Sequence, residues 1–139
     1  MAKRSIDKVA KDMELLQLYE NQKVHILNEI LGRLRSLQAA NDKKGMKGEM
    51  DVLRNILGRE DAVLVEQINT FKGNDRLNQK FAEQRTLIIQ ITRLAVFYKN
   101  NDDMEILNVT YNKIFEGIQR FKVLSAQITD IKNLNLMAA

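Results

Sequence analysis

The chain reads as an all-α protein, an up-down-up-down antiparallel four-helix bundle, on three observations. Apolar residues recur at three- and four-residue spacing along nearly its whole length, the period of a helix with one buried stripe. No segment alternates with the two-residue period of a strand. Proline is absent, so nothing in the backbone chemistry interrupts long helices. Short polar breaks divide the pattern into four runs, and connections this short force successive helices to run antiparallel. At 139 residues the chain is expected to form one domain, spanning 1–139, around a single core.

The first helix is expected over residues 5–40, with Ser5 as its N-cap and Ile6, Val9, Met13, Leu16, Leu27, Ile30, Leu34 and Leu37 inward. It stops in the glycine- and lysine-rich "ANDKKGMKG". The second, over 48–72, carries Met50, Leu53, Leu57, Leu64, Ile68 and Phe71 and is ended by Gly73. Asn74 or Asp75 caps the third, over 75–100, which buries Leu77, Phe81, Ile88, Ile91, Ala95 and Tyr98. Asp102 with Glu105 spells a capping box for the fourth, over 102–132, with Leu107, Tyr111, Ile114, Ile118, Phe121 and Ile128 inward. The outer helices are longer than the middle two, and the register places their overhang beyond the Gly73 turn. Ile6 and Val9 should then meet Ile131, Leu134 and Leu136 in a two-helix stalk that carries both termini. "RLRSLQAAND" and "RLAVFYKNND", followed by "MDVL" and "MEIL", echo one another as two copies of a helical hairpin, or chance in a helix-biased composition, would produce.

Composition removes several classes of function. Cysteine is absent, which excludes a disulfide framework and thiolate chemistry. The longest apolar runs, such as "LAVFY", are too short to span a bilayer, and the start has no apolar signal region. An intracellular place, or one in a virion-like assembly, is the expectation, and the Asn-, Ile- and Lys-rich composition fits a viral or bacterial origin. The net charge of +4 mixes 18 acidic residues among 22 basic ones, whereas an electrostatic nucleic-acid binder concentrates its cations on one stripe.

Gly45 and Gly48 form a G-x-x-G frame among Lys43, Lys44 and Lys47. Such a frame clamps nucleic-acid backbones in KH domains, but those contain a sheet, and a P-loop would need G-K-[ST] after a strand. What is left is a solubilising turn whose glycines permit positive φ, with backbone N–H groups and lysines able to hold an anion. No enzyme is expected. A di-iron bundle needs Glu-x-x-His on two helices, and the one histidine, His25, has no such neighbour and lies off the apolar stripe. Ser5, Ser36 and Ser125 have no base to activate them. No metal, cofactor, membrane or small-molecule substrate is expected.

Two anomalies remain. Glu20, Lys23, Gln67, Gln84 and Ser125 occupy inward positions at similar heights, which suggests a buried polar layer that specifies register. Unpaired, Glu20 would cost several kcal/mol, so Lys23, Gln67 or water should reach it. The third helix also carries Ile89 and Val96, one heptad apart and pointing away from the core, with Phe97 beside them. A bundle helix exposed on one side has no reason to be apolar all round. The leading expectation is therefore a structural or adaptor subunit that contacts a protein partner, or its own kind, through Ile89, Val96 and Phe97 and through Ile6, Val9, Leu134 and Leu136 of the stalk. The alternative is nucleic-acid binding through Lys43, Lys44, Lys47, Arg76, Lys80, Arg85 and Arg93; a further one is a secretion-type chaperone.

Overall fold

In the computed structural model the chain folds into four helices: α1 (Ala2–Ala39), α2 (Lys43–Thr70), α3 (Asp75–Lys99) and α4 (Met104–Ala138). The structure describes the backbone of residues 2–138 and the side chains of Lys8 and residues 10–134, with no strand among them. The expected contacts of Ile6, Val9 and Leu136 lie outside the described side chains. No helix of the described residues is long and apolar enough to cross a membrane.

Three helix starts differ from the sequence expectation, each for a local reason. α1 begins before Ser5, which therefore lies within the helix. α2 begins at Lys43, because Asp42 caps it: its Oδ1 accepts from the Gly45 N–H at 2.8 Å. Gly45 and Gly48 thus belong to the first turns of a helix rather than to an open turn, and neither has a positive φ; Asn41 (53°) and Gly73 (97°) do. A Cβ at Gly45 would lie 2.7 Å from Leu37 Cδ2 and 2.5 Å from Asp42 Oδ2, so the Leu37 side chain and the capping carboxylate would have to shift to admit one. α4 is capped by Asp103, whose Oδ1 accepts from the Glu105 N–H at 2.9 Å. The expected box on Asp102 does not form, because Asp102 is drawn to Lys47 across the turn at 2.9 Å. α3 starts as the sequence reads, with Asn74 accepting from the Leu77 N–H.

The helices form a bundle in which α1 packs on α2 and α4, and α3 packs on α2 and α4, while the backbones of the diagonal pairs stay apart. One inward stripe per helix fills the middle. Leu16, Leu27, Ile30 and Leu34 face Met46, Met50, Leu53, Leu57 and Leu64, then Leu77, Phe81, Ile91 and Ala95, then Leu107, Ile114, Ile118, Phe121 and Ile128, all essentially inaccessible. Each such side chain contributes about 1.5–3 kcal/mol by leaving water, and this stripe holds the helices together. The outer faces carry inter-helix ion pairs: Arg33–Glu49, Lys99–Asp51, Arg85–Asp61 and Arg120–Glu83. Apart from Glu49, whose side chain is 12% exposed, these groups are exposed or half-exposed, and such pairs contribute little to stability.

Candidate functional site: a buried polar layer and an exposed apolar face

One turn from the Gly73 end of α2 the apolar stripe is interrupted on all four helices at one level. Lys23 of α1 is 1% exposed. Its ammonium donates to Glu20 Oε1 at 2.7 Å, to Gln67 Oε1 of α2 at 3.3 Å and to Gln84 Oε1 of α3 at 3.3 Å. Three N–H bonds therefore meet three acceptors, the full capacity of an ammonium group. Gln84 passes the network on: its amide donates to Ser125 Oγ of α4 at 3.0 Å and to the Phe121 carbonyl at 3.4 Å. The structure thus brings Glu20, Lys23, Gln67, Gln84 and Ser125 into one chain of contacts. Phe81 closes the layer from one side, with its ring centroid 6.0 Å from the Lys23 ammonium. Glu20 Oε2 and Gln67 Nε2 have no partner among the described residues.

Such a layer is poor equipment for catalysis. Ser125 Oγ receives its hydrogen bond from an amide, which cannot take its proton. Glu20 and Ser125 also floor a groove between α1 and α4 rimmed by Gln17, Asn21, His25, Asn28, Lys122 and Asp130, a mixture of both charge signs. His25, on the rim of this groove, is largely exposed, makes no contact with the polar layer and is bound to Glu29 at 3.0 Å. Among the described residues no three His, Asp or Glu side chains gather as a metal site needs. What the geometry does supply is register: sliding one helix by a turn would leave an ammonium or carboxylate buried without its partner, at several kcal/mol.

Glu60 of α2 borders the layer and was not legible from the sequence as part of it. Burial raises its carboxyl above the ordinary glutamate range, Lys23 pulls it down and Glu20 pushes it up again. A carboxyl raised by folding contributes stability below its unfolded pKa, and that contribution is lost as pH rises through the folded value. Glu60→Gln should therefore be more stable than the native chain at about pH 7, and the difference should shrink toward zero at about pH 4. Urea midpoints at the two pH values check this; a Glu60→Gln chain less stable at neutral pH would contradict it.

The residues offered as a phosphate-binding set are scattered and partly engaged. Lys43 donates to the Asp102 carbonyl at 3.0 Å and Lys47 to the Asp102 carboxylate, which the Lys47 hydrogen bond holds below the usual aspartate range. Arg85 is held by Asp61 at 2.8 Å and Lys80 lies 4.0 Å from Glu83. Lys44, Arg76 and Arg93 have no ion pair among the described residues.

The apolar face is differently distributed from the expectation. Ile89 is 50% exposed and Phe97 49%, but Val96 is half-buried. Phe97 turns toward α4, where with Leu94, Ile106, Val109 and Thr110 it lines a groove edged by Glu105 and Lys113. Met104, Ile106 and Val109 are exposed beside it, so the patch continues across the α3–α4 turn. Ile106 and Val109 are not marked in the sequence, because neither falls on the inward stripe of α4. Leu134 of the expected stalk is exposed as well, and so are Leu15 and Leu18 on α1. No protein-family model matches this chain, and no similar curated protein or solved structure was found.

Proposed function

We propose that this protein is a non-enzymatic structural or adaptor subunit that works by protein–protein association. Its docking surface is the apolar face around Phe97, Ile106 and Val109, assisted by the helix ends that carry the termini. The single observation behind this reading is the concentration of exposed Phe97, Met104, Ile106 and Val109 at the passage from α3 to α4. Contiguous exposed apolar side chains of this size mark contact sites far more often than bare surface. We read the bundle as up-down-up-down, supported by the Gln38–Asn108 bond toward one end and the Gln17–Lys132 bond toward the other. Asp12 and Leu15 lie beside Thr70 and Phe71 at the end of α2. The first ten or so residues of α1 and the last turns of α4 then project past the Gly73 turn as a stalk about 15 Å long.

Complexes isolated from the native host test the reading. They should survive about 0.5 M salt, since apolar docking is nearly indifferent to screening, and should be lost in Phe97→Asp. A phosphate-binding protein would instead release its partner steeply as salt rises. Complexes that persist unchanged in Phe97→Asp would overturn the proposal.

A further inference from the structure

Building on the association reading, we propose that the occupant of this face is a second copy of the chain, bound about a two-fold axis through Val109 with the two α4 helices antiparallel. The charges flanking the patch carry the argument. Val109, 51% exposed, is one of the most exposed large apolar residues. Glu105 and Lys113 lie four residues to either side of it on the rim of the same groove. Four residues on a helix return to the same face about 6 Å along the axis. In an antiparallel pair centred on Val109, Glu105 of each copy therefore faces Lys113 of the other, twice, while the valines meet on the axis. Phe97 and Ile106 of each copy flank that contact from the α3 side.

A two-fold contact must be complementary to itself, so opposite charges have to balance about one point. A contact with an unrelated protein imposes no such balance. Neither Glu105 nor Lys113 has an ion pair within its own chain among the described residues, so both are free for the second copy. The pairing also meets an obvious objection. Glu116, seven residues from Val109, falls opposite Asp102 of the second copy, a like charge. That carboxylate, though exposed, is paired with Lys47, and Lys43 binds its backbone carbonyl, so two lysines stand beside it to offset the repulsion from Glu116. A contact centred on one helix pair is at the small end of interface sizes, and the dimer should form at about micromolar concentration.

Sedimentation of the full chain over a range of concentrations tests this. The native chain should pass from one copy to two. Val109→Asp sets two carboxylates on the axis and should weaken the dimer about a hundredfold. Glu105→Lys turns two attractions into two Lys–Lys contacts and should weaken it about tenfold. Combining Glu105→Lys with Lys113→Glu should restore the native constant to within about threefold. All three positions are exposed, and unchanged circular dichroism verifies that the variants fold. A native chain that stays monomeric at about 500 μM, or a charge swap that fails to restore dimerisation, overturns the proposal. A monomeric native chain whose host complexes are still lost in Phe97→Asp would leave the association reading standing without the second copy, so the two failures are distinguishable.

Discussion

Replacing Lys23 with methionine is expected to cost the bundle about 3–5 kcal/mol. Methionine matches the stem of lysine in length and packs as well, so the loss isolates the charge. Without the ammonium, Glu20 is a carboxylate 2% exposed with no donor on either oxygen, and the side-chain carbonyls of Gln67 and Gln84 lose their shared partner. Replacing the whole layer, with Glu20→Leu, Lys23→Met, Gln67→Leu, Gln84→Leu and Ser125→Ala together, removes every orphan at once. That variant should recover most or all of the lost stability, because well-packed apolar groups equal or exceed a buried ion pair. It should also lose uniqueness of register, visible as doubled or broadened amide resonances. Urea unfolding of the three chains decides the matter: a Lys23→Met chain within about 1 kcal/mol of native would mean that the ammonium is not enclosed as described.

Truncating Phe81 should be comparably severe. The ring is fully buried, packs on Phe71 at 6.3 Å between centroids and stands beneath the Lys23 ammonium. Phe81→Ala removes its apolar area and leaves a cavity, at about 3–5 kcal/mol. It also exposes the polar layer to water, so the cost of Lys23→Met should be smaller in that background than alone. Thermal or urea unfolding of both single variants and the double variant measures that coupling, expected at about 1 kcal/mol or more. Additive costs would show that ring and ammonium do not share an environment. Leu18→Ala, at a half-exposed site on the outer face of α1, should by contrast stay within about 0.5 kcal/mol.

Why the sequence shows the bundle interior so clearly and the docking face so poorly follows from what each depends on. A residue such as Leu57 or Ile118 must repeat every three or four positions to stay inward, so periodicity alone assigns it. Glu20, Lys23, Gln67, Gln84 and Ser125 stand out for the same reason, as polar residues in apolar registers. Their partners, however, depend on how high each helix sits against the next, which the hydrogen bonds of Lys23 settle and spacing does not. Helix starts were less legible, because adjacent candidates compete: Asp102 and Asp103 both can cap α4, and a lysine on another helix draws one of them away. The groove between Phe97 and Val109 is the hardest case. It arises from two helices meeting at a turn, and Ile106 and Val109 look unremarkable until α3 is set beside them.

Glu60 illustrates the same limit from the electrostatic side. Nothing in "LGREDAVLVE" marks it apart from Glu66 or Asp61. Its perturbation comes from burial next to an ion pair on another helix, a property of the packed bundle rather than of the letters.

The salt dependence of association tests the central claim most directly. The dissociation constant of the full chain, measured by sedimentation at about 50 mM and about 500 mM salt, should change by less than about threefold, with the small loss coming from the Glu105 and Lys113 rim. Val109→Asp should weaken it about a hundredfold at either salt concentration. A constant that weakens a hundredfold or more with salt and is untouched by Val109→Asp would contradict an apolar docking face and point to charge-driven binding instead.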